Sequence, residues 1–293
     1  MTEEALVRVS YGNSGVAELA DGTPVACKYR RSVGRPYCGD RVLIEQLADG
    51  SALVTQVLPR RNVFARADAR QRKQVIAANL DQVFIVIAPA PEPSRDLVER
   101  YLVAAHDLGI TPLLVINKAE LLAAPPVHPP FSRIDDYRAL GYRVLAASTK
   151  GPPGIDALLS HLDARVSILA GQSGVGKSSL VNALVPDLDL QTGELSRITG
   201  KGTHTTTTTI MYRLPAGGRL LDSPGVWEFG LWQMSAADLA DGFIEFRDLD
   251  AACRFRDCRH AGEPGCAVRA AVEAGTIRRW RYQSYLRLLS QSR

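Results

Sequence analysis

Over the first sixty residues, apolar and polar positions alternate in short runs broken by turn pairs. VRVSYGNSGVAEL leads to Asp21-Gly22, TPVACKYR to Gly39-Asp40 and RVLIEQL to Asp49-Gly50, and ALVTQVL closes the series. Period-two runs at this spacing predict strands. Five or so strands in so short a stretch predict a small barrel of the OB-fold type. Pro59-Arg60-Arg61-Asn62 reads as its exit. From about residue 67 the pattern changes. VFIVIAPA (83–90) is continuously apolar, as expected of a strand buried on both faces. RDLVERYLVAAHDLG (95–109) places Leu97, Tyr101, Leu102 and Ala105 at helical spacing and stops at Gly109. TPLLVINK (111–118), YRVLAAS (142–148), ARVSILAG (164–171) and GRLLDSPG (218–225) read as further buried strands. Strands alternating with helices predict a doubly wound α/β sheet. After residue 229 the pattern is α-rich. SAADLADGFIEF (235–246) reads as one helix capped by Ser235, followed by AVRAAVEAG and TIRRWRYQSYLRLLSQ. In the last segment Trp280, Tyr285, Leu288 and Leu289 form an apolar stripe, and Arg278, Arg279, Arg281 and Arg287 a basic face. Three modules are expected: 1–66, 67–229 and 230–293.

Composition changes this picture little. The 293 residues are 46% apolar and 23% charged, which excludes intrinsic disorder, collagen and coiled coil. A net charge of +4 names no partner by itself. The start, Met1-Thr2-Glu3-Glu4-Ala5, is acidic and unlike a signal peptide, and no apolar run is long enough to span a bilayer. The expectation is a cytoplasmic protein without a membrane partner.

Gly171-Gln172-Ser173-Gly174-Val175-Gly176-Lys177-Ser178, followed by Ser179, matches GxxxxGK[ST] between an apolar strand and a helical segment. Glycines let backbone N–H groups converge on phosphate oxygens, Lys177 reaches the β- and γ-phosphates, and the Ser178 hydroxyl ligates magnesium. Asp222-Ser223-Pro224-Gly225 supplies the second half: Asp222 at a strand end for magnesium, and the Gly225 N–H for the γ-phosphate. Asn117-Lys118-Ala119-Glu120 follows another strand and matches the guanine-recognising NKxD pattern, with Glu120 in place of Asp. A carboxylate one methylene longer still accepts from the base N1–H and exocyclic amine. Ser148, after YRVLAA, is expected to back the guanine.

The order of these motifs carries further information. Asn117 precedes the phosphate loop, and DSPG comes last. Strand-end loops converge in space, so chain order can rotate when the old termini lie close together. This is the order of a circularly permuted P-loop GTPase.

Between the phosphate loop and DSPG lies Gly200-Lys201-Gly202-Thr203-His204-Thr205-Thr206-Thr207. A threonine here completes magnesium coordination in the GTP state, and either Thr205 or Thr206 fits. Val226 stands where a water-positioning Gln usually follows DxxG. Slow intrinsic hydrolysis follows, with His204 as the candidate to orient the attacking water.

Cys253, Cys258, His260 and Cys266 offer three thiolates and an imidazole at spacings that suit one structural zinc with no open position. Cys27 and Cys38 read as small buried thiols. Local basic clusters point to RNA. Lys28, Arg30, Arg31 and Arg35 interleave with Tyr29 and Tyr37, and Arg60, Arg61, Arg66, Arg70, Arg72 and Lys73 follow them. The segment from Thr276 onward carries five arginines and no acid.

The barrel, NKAE, GQSGVGKSSLVNAL, GKGTHTTTT, DSPGVWEFGLW and the Cys/His cluster ending in EPGCAV together resemble the circularly permuted, ribosome small-subunit-dependent GTPases of the RsgA/YjeQ family. The resemblance covers nearly the whole chain. It implies an N-terminal OB-fold β-barrel, a central permuted α/β GTPase domain and a C-terminal α-rich zinc-binding domain. It further implies GTP/GDP, magnesium and zinc as ligands, with the small ribosomal subunit and its rRNA as partner during late subunit maturation. The chain is expected to act as a monomer without DNA, hydrolysing GTP slowly alone and faster on the subunit. A nucleotide-gated RNA-binding switch with incidental hydrolysis is the alternative. A P-loop ATPase or kinase is disfavoured by NKAE.

Overall fold

The computed structural model describes residues 2–67, 73–122, 128–199, 208–215, 217–223 and 234–291. The barrel consists of β1 (Thr2–Tyr11), β2 (Ser14–Glu18), β3 (Pro24–Tyr29), β4 (Arg41–Gln46) and β5 (Ala52–Val57). β1 is long enough to serve two neighbours, pairing with β4 from Thr2 to Leu6 and with β2 from Leu6 to Tyr11. β3 runs parallel to β5, and β5 returns antiparallel to β4, so the order 1-2-3-5-4 closes on β1. Closure removes the sheet edges. Period-two positions Ala5, Val7, Val42, Ile44, Ala52 and Val54 fill the interior with Ala17 and Cys27. Burial pushes the Cys27 thiol up to about 12, which makes it inert at neutral pH.

A separate antiparallel hairpin follows, β6 (Val63–Ala67) with β7 (Lys73–Ala78). Residue 66, where the barrel module was expected to end, falls inside β6, whose partner is β7 and not a barrel strand. The far end of β7 docks back on the barrel: the Ala78 N–H donates to the Cys38 carbonyl, and Asn79 Nδ2 donates to Gly39 O, both at 2.9 Å. Gly39, at φ +90°, is required there, because a Cβ would collide with the Ala78 carbonyl oxygen.

The central sheet is built from β8 (Gln82–Ile87), β9 (Thr111–Ile116), β10 (Arg143–Ala146), β11 (Val166–Ala170), β12 (Ile210–Arg213) and β13 (Arg219–Asp222), in the order β10-β9-β8-β11-β13-β12. All adjacent pairs are parallel except β12 with β13. Both faces are covered, so β8 sorts its apolar run by alternation. Val83, Ile85 and Ile87 join Leu97, Tyr101, Leu102 and Ala105 of α1 (Leu97–Asp107). Phe84 and Val86 join the opposite core, which takes in Leu180, Val181 and Leu184. Helices α2 (Ile134–Ala139), α3 (Asp156–Leu162), α4 (Lys177–Leu184) and α5 (Leu188–Thr199) complete the layers.

The C-terminal module contains α6 (Ala236–Asp241), α7 (Arg247–Asp250), α8 (Ala267–Glu273) and α9 (Arg279–Leu289). Ser235 caps α6 in a reciprocal capping box with Asp238. The helix expected over 235–246 is interrupted. At Gly242 the chain presses on Val103, where a Cβ would collide, and a 3-10 turn then carries Phe243 and Phe246 into the core beside Tyr285. Of the four arginines expected to form the basic face of α9, Arg278 and Arg279 are exposed, whereas Arg281 and Arg287 are engaged in ion pairs. Arg281 is 1% exposed, donating to both Glu245 oxygens at 2.6 and 3.0 Å, with Glu99 at 3.7 Å. Arg287 forks onto Asp96 at 2.6 Å through each of two nitrogens. Trp280 Nε1 donates to Asp136 at 2.8 Å, and Arg133 stacks over its ring. These contacts fasten α9 to α1 and α2. By contrast Lys28, Arg30, Arg31 and Arg35 of the barrel are exposed.

Candidate functional site

Parallel strands deliver their following loops to one edge of the sheet. The loops after β9, β10, β11 and β13 therefore meet, and they enclose a cleft of about 700 Å³. The loop after β11 is the phosphate loop, running into the N-terminus of α4 at Lys177. Gly176, at φ +93°, lies against Asn117 Nδ2, where a Cβ would collide. That contact leaves room for Asn117 Nδ2 to donate to the Val175 carbonyl at 2.8 Å. Lys118 crosses the loop from the other side, donating to Ala90 O at 2.6 Å and Gly174 O at 2.8 Å.

Asn117, Lys118, Glu120, Ser173, Gly174, Gly176, Lys177, Ser178, Ser179 and Asp222 all line the cleft. Ser148, Gly171, Gln172 and Val175 stand behind its wall. Ser148 Oγ accepts from the N–H groups of Lys150 and Gly151, shaping the loop after β10. Gln172 Oε1 accepts from the Ser94 N–H, and its Nε2 donates to the carbonyls of Pro91 and Glu92. Its side chain is engaged with the 91–94 loop, leaving its backbone for a phosphate. Ser223 of DSPG and Thr149 of the loop after YRVLAA also line the cleft, as do Leu121 and Lys150, which were not singled out from the sequence. Each lies within two residues of a recognised motif, which was the available signal. His204, Thr205, Thr206 and Gly225 lie outside the described residues, as do Val226, Arg70 and Arg72.

Charge is arranged for an anionic ligand with a cation. Lys177 Nζ folds onto the carbonyls of Gly171 and Gln172, at 2.7 and 2.8 Å. Burial lowers its pKa and the Asp222 carboxylate opposes that shift. Burial raises the pKa of Asp222, with Lys177 opposing. A phosphate chain with its divalent ion meets both requirements: oxygens for Lys177 and a cation for Asp222 and Ser178. Glu120 sits below the usual carboxylate range, chiefly because Ser148 hydrogen-bonds to it, with Lys150 and Lys118 adding to the effect. It is therefore an ionised acceptor at neutral pH, as a guanine N1–H and amine require.

The second cluster lies in the C-terminal module. One ligand atom from each of Cys253, Cys258, His260 and Cys266 falls within 4.8 Å of all the others. His260 Nδ1 is 3.6 Å from Cys253 Sγ and 3.5 Å from Cys266 Sγ. Zn–S bonds of about 2.3 Å and Zn–N bonds of about 2.0 Å at a tetrahedral angle give an N···S edge of about 3.5 Å, so the donor set fits zinc. Backbone N–H groups of Ala267 and Arg269 point at Cys253 Sγ and Cys266 Sγ, which favours thiolates. Tyr282 and Tyr285 hydroxyls donate to the carbonyls of His260 and Arg259, fixing the loop.

The RsgA GTPase family profile matches residues 57–232. A small ribosomal subunit biogenesis GTPase RsgA of Chromohalobacter salexigens is 50% identical over 261 residues, covering 88% of this chain and 76% of that protein. Its Pseudomonas aeruginosa counterpart is 45% identical, with 96% and 83% covered. The chain belongs to the RsgA GTPase family. Among solved structures, YjeQ from Thermotoga maritima superposes with a TM-score of 0.81 at 30% identity, covering 99% of this chain and 98% of that one. YloQ, described as a circularly permuted GTPase, shares the fold at a TM-score of 0.76 and 24% identity, with 99% and 95% covered. As an RsgA-family GTPase the chain is a GTP hydrolase, and the strand order β9, β10, β11, β13 around its cleft is the permuted one.

Proposed function

We propose that this GTPase binds the small ribosomal subunit late in its maturation and hydrolyses GTP to GDP and phosphate there. The subunit stimulates the turnover, and hydrolysis releases the protein. The observation that carries the reading is the convergence of Asn117, Lys177 and Asp222 in one cleft, in permuted order, between a closed barrel and a Cys3His cluster. The relatives named for small-subunit biogenesis, aligned over 88% and 96% of this chain, supply the partner class.

Within the cleft, Asn117, Lys118 and Glu120 select guanine, with Lys118 also spanning the phosphate loop. Backbone N–H groups of 171–178 and Lys177 hold the phosphates, and Ser178 and Asp222 hold magnesium with Thr205 or Thr206. His204 orients the attacking water when the partner is bound. Cys253, Cys258, His260 and Cys266 hold one zinc, which supplies folding free energy to the C-terminal module. The exposed Lys28, Arg30, Arg31 and Arg35 meet rRNA phosphates, and the half-buried Tyr29 and Tyr37 give the barrel aromatic surface for stacking. The protein works as a cytoplasmic monomer. GTP turnover measured with and without purified small subunits tests the reading: stimulation supports it, and an unchanged rate overturns it.

A further inference from the structure

The connector from β8 to α1, residues 88–96, is tied to two other parts of the molecule. One set of ties comes from the nucleotide loops. Gln172 of the phosphate loop reaches across with its side-chain amide. Its Oε1 accepts from the Ser94 N–H at 3.0 Å, and its Nε2 donates to Glu92 O at 2.7 Å and Pro91 O at 3.2 Å. Lys118 of the guanine loop donates to Ala90 O at 2.6 Å. The other set comes from α9. Asp96 takes the left-handed conformation, φ +60°, and its side chain is 6% exposed. Its carboxylate accepts from two Arg287 nitrogens at 2.6 Å each and from Ser284 Oγ at 2.8 Å. Arg287 Nη2 also donates to Ser284 Oγ at 2.8 Å, so α9 presents a preassembled fork to the connector.

Between these ties the connector is largely in water. Pro91, Glu92, Ser94 and Arg95 are exposed, and Pro89, Pro91 and Pro93 have no N–H to donate. Its course is therefore set by the groups that hold it. The phosphate loop is pinned at two places of its own. Gly171 presses on β8, where a Cβ would collide with the Val86 carbonyl oxygen, and the buried Val175 is held by Asn117. Between these pins Ser173 and Gly174 are exposed. The Gln172 side chain fastens this span to the connector, and Lys118 bridges Gly174 O to Ala90 O. The Gln172 carbonyl meanwhile accepts from Lys177 Nζ at 2.8 Å. One residue thus fixes both the outer turn of the loop and the resting place of its lysine. Backbone N–H groups bind a phosphate tightly only when they are held in place beforehand, because ordering them on binding subtracts from the affinity. The connector, anchored through Asp96 on α9, supplies that order.

We propose that Gln172 is a positioning residue for the nucleotide phosphates and that the Asp96–Arg287 pair acts through it, so that α9 of the C-terminal module contributes to phosphate affinity at the GTPase site. This rests on the reading of 171–178 as the phosphate-binding loop. The test titrates the full chain with fluorescent GDP and competes it with GMP, which lacks the β-phosphate. It compares wild type, Gln172→Ala, Arg287→Met and the double variant. Gln172→Ala is expected to weaken GDP about tenfold and Arg287→Met about fivefold, while GMP stays within about twofold in both. The double variant should fall no more than about twofold below Gln172→Ala alone, because both changes cut the same line of contacts. Where Arg287→Met does not fold, Arg287→Lys, which keeps the charge but loses the fork, takes its place at about threefold. Either single variant within about twofold of wild type for GDP, equal losses for GDP and GMP, or a double loss equal to the product of the single ones overturns the proposal. Lys177→Ala separates the two readings. If it binds GDP as wild type does, the phosphate-loop reading fails and the proposal with it; if it loses GDP while Gln172→Ala does not, the proposal alone fails.

Discussion

Asn117 donates to the Val175 carbonyl at 2.8 Å across 58 positions of sequence, so the guanine-facing loop and the phosphate loop form one rigid wall. The donor is buried, and a Cβ at position 176 would collide with it. Removing it frees the loop after β9 and leaves a buried carbonyl without its partner, a cost of about 1–3 kcal/mol. Asn117→Ala is therefore expected to weaken both GTP and GDP by about tenfold or more at unchanged fold. Titration with a fluorescent guanine nucleotide reads this, and affinities within about twofold of wild type would contradict it.

Glu120 tests the longer carboxylate in the guanine loop. A hydrogen bond from Ser148 lowers its pKa, with Lys150 and Lys118 adding to the effect. Its carboxylate offers charge-assisted hydrogen bonds to two base N–H groups. Glu120→Ala should lose most of the preference for GTP over ATP, while Glu120→Asp should keep it. Competition between the two nucleotides measures the outcome. Retained preference in Glu120→Ala would move base selection to Thr149, Lys150 or the backbone.

Local, periodic signals made most of this architecture legible. The phosphate loop, the NKAE loop and DSPG each follow an apolar strand, and the doubly buried β8 declares itself by an unbroken apolar run. What was illegible depends on distant partners. α5 carries Gly193 and Thr192 and little intrinsic helical preference; it is held by Leu195 against the barrel and by Gln191 on β12. Arg281 and Arg287 look like a solvated face until Glu245 and Asp96, far away in sequence, are seen beside them. The break at Gly242 follows from contact with Val103, which no local pattern records.

Arg281 ties α9 to the turn after α6 and to α1. Arg281→Met strips the half-buried Glu245 and the buried Glu99 of their cation, at a cost of about 3–5 kcal/mol. Adding Glu245→Leu removes one of the two stranded carboxylates, while Glu99 keeps the Tyr137 hydroxyl, and should restore part of that loss. Urea midpoints of the two variants check it; a double variant as unstable as the single one would place the energy in shape rather than charge.

His106 gives the fold a pH dependence. Burial, with Arg247 adding to it and Arg281 as well, pulls its pKa from 6.5 down to about 4, against opposing pulls from Asp241 and Glu245. The ring also meets the Tyr142 hydroxyl at 3.0 Å. The unfolded chain takes up the proton first, so this contribution is complete above the ordinary histidine value and is lost as pH falls from 6.5 toward about 4. His106→Gln should flatten that part of the stability profile relative to wild type. Parallel urea titrations across this range show it, and superimposable pH slopes would assign the acid limb to carboxylates alone.

The Cys3His cluster predicts one zinc per chain. Met234, Leu239, Phe243, Phe246, Tyr285 and Leu288 make a compact apolar core, to which the Arg- and Gly-containing 252–266 loop adds only Cys253, Cys258 and Cys266. The loop is tied by Cys and His side chains, by two tyrosine hydroxyls on its carbonyls, and by Glu263, which accepts from the N–H groups of Arg259, Ala261 and Gly262. Metal binding in small zinc modules supplies about 10–16 kcal/mol, more than these hydrogen bonds together. Chelation, or Cys258→Ala, is thus expected to abolish hydrogen-exchange protection across 253–269 while leaving β8 and β11 protected. Elemental analysis of the purified chain gives the stoichiometry. Full metal content in Cys258→Ala, or an unchanged exchange pattern after chelation, would show that the four side chains hold the loop without a metal.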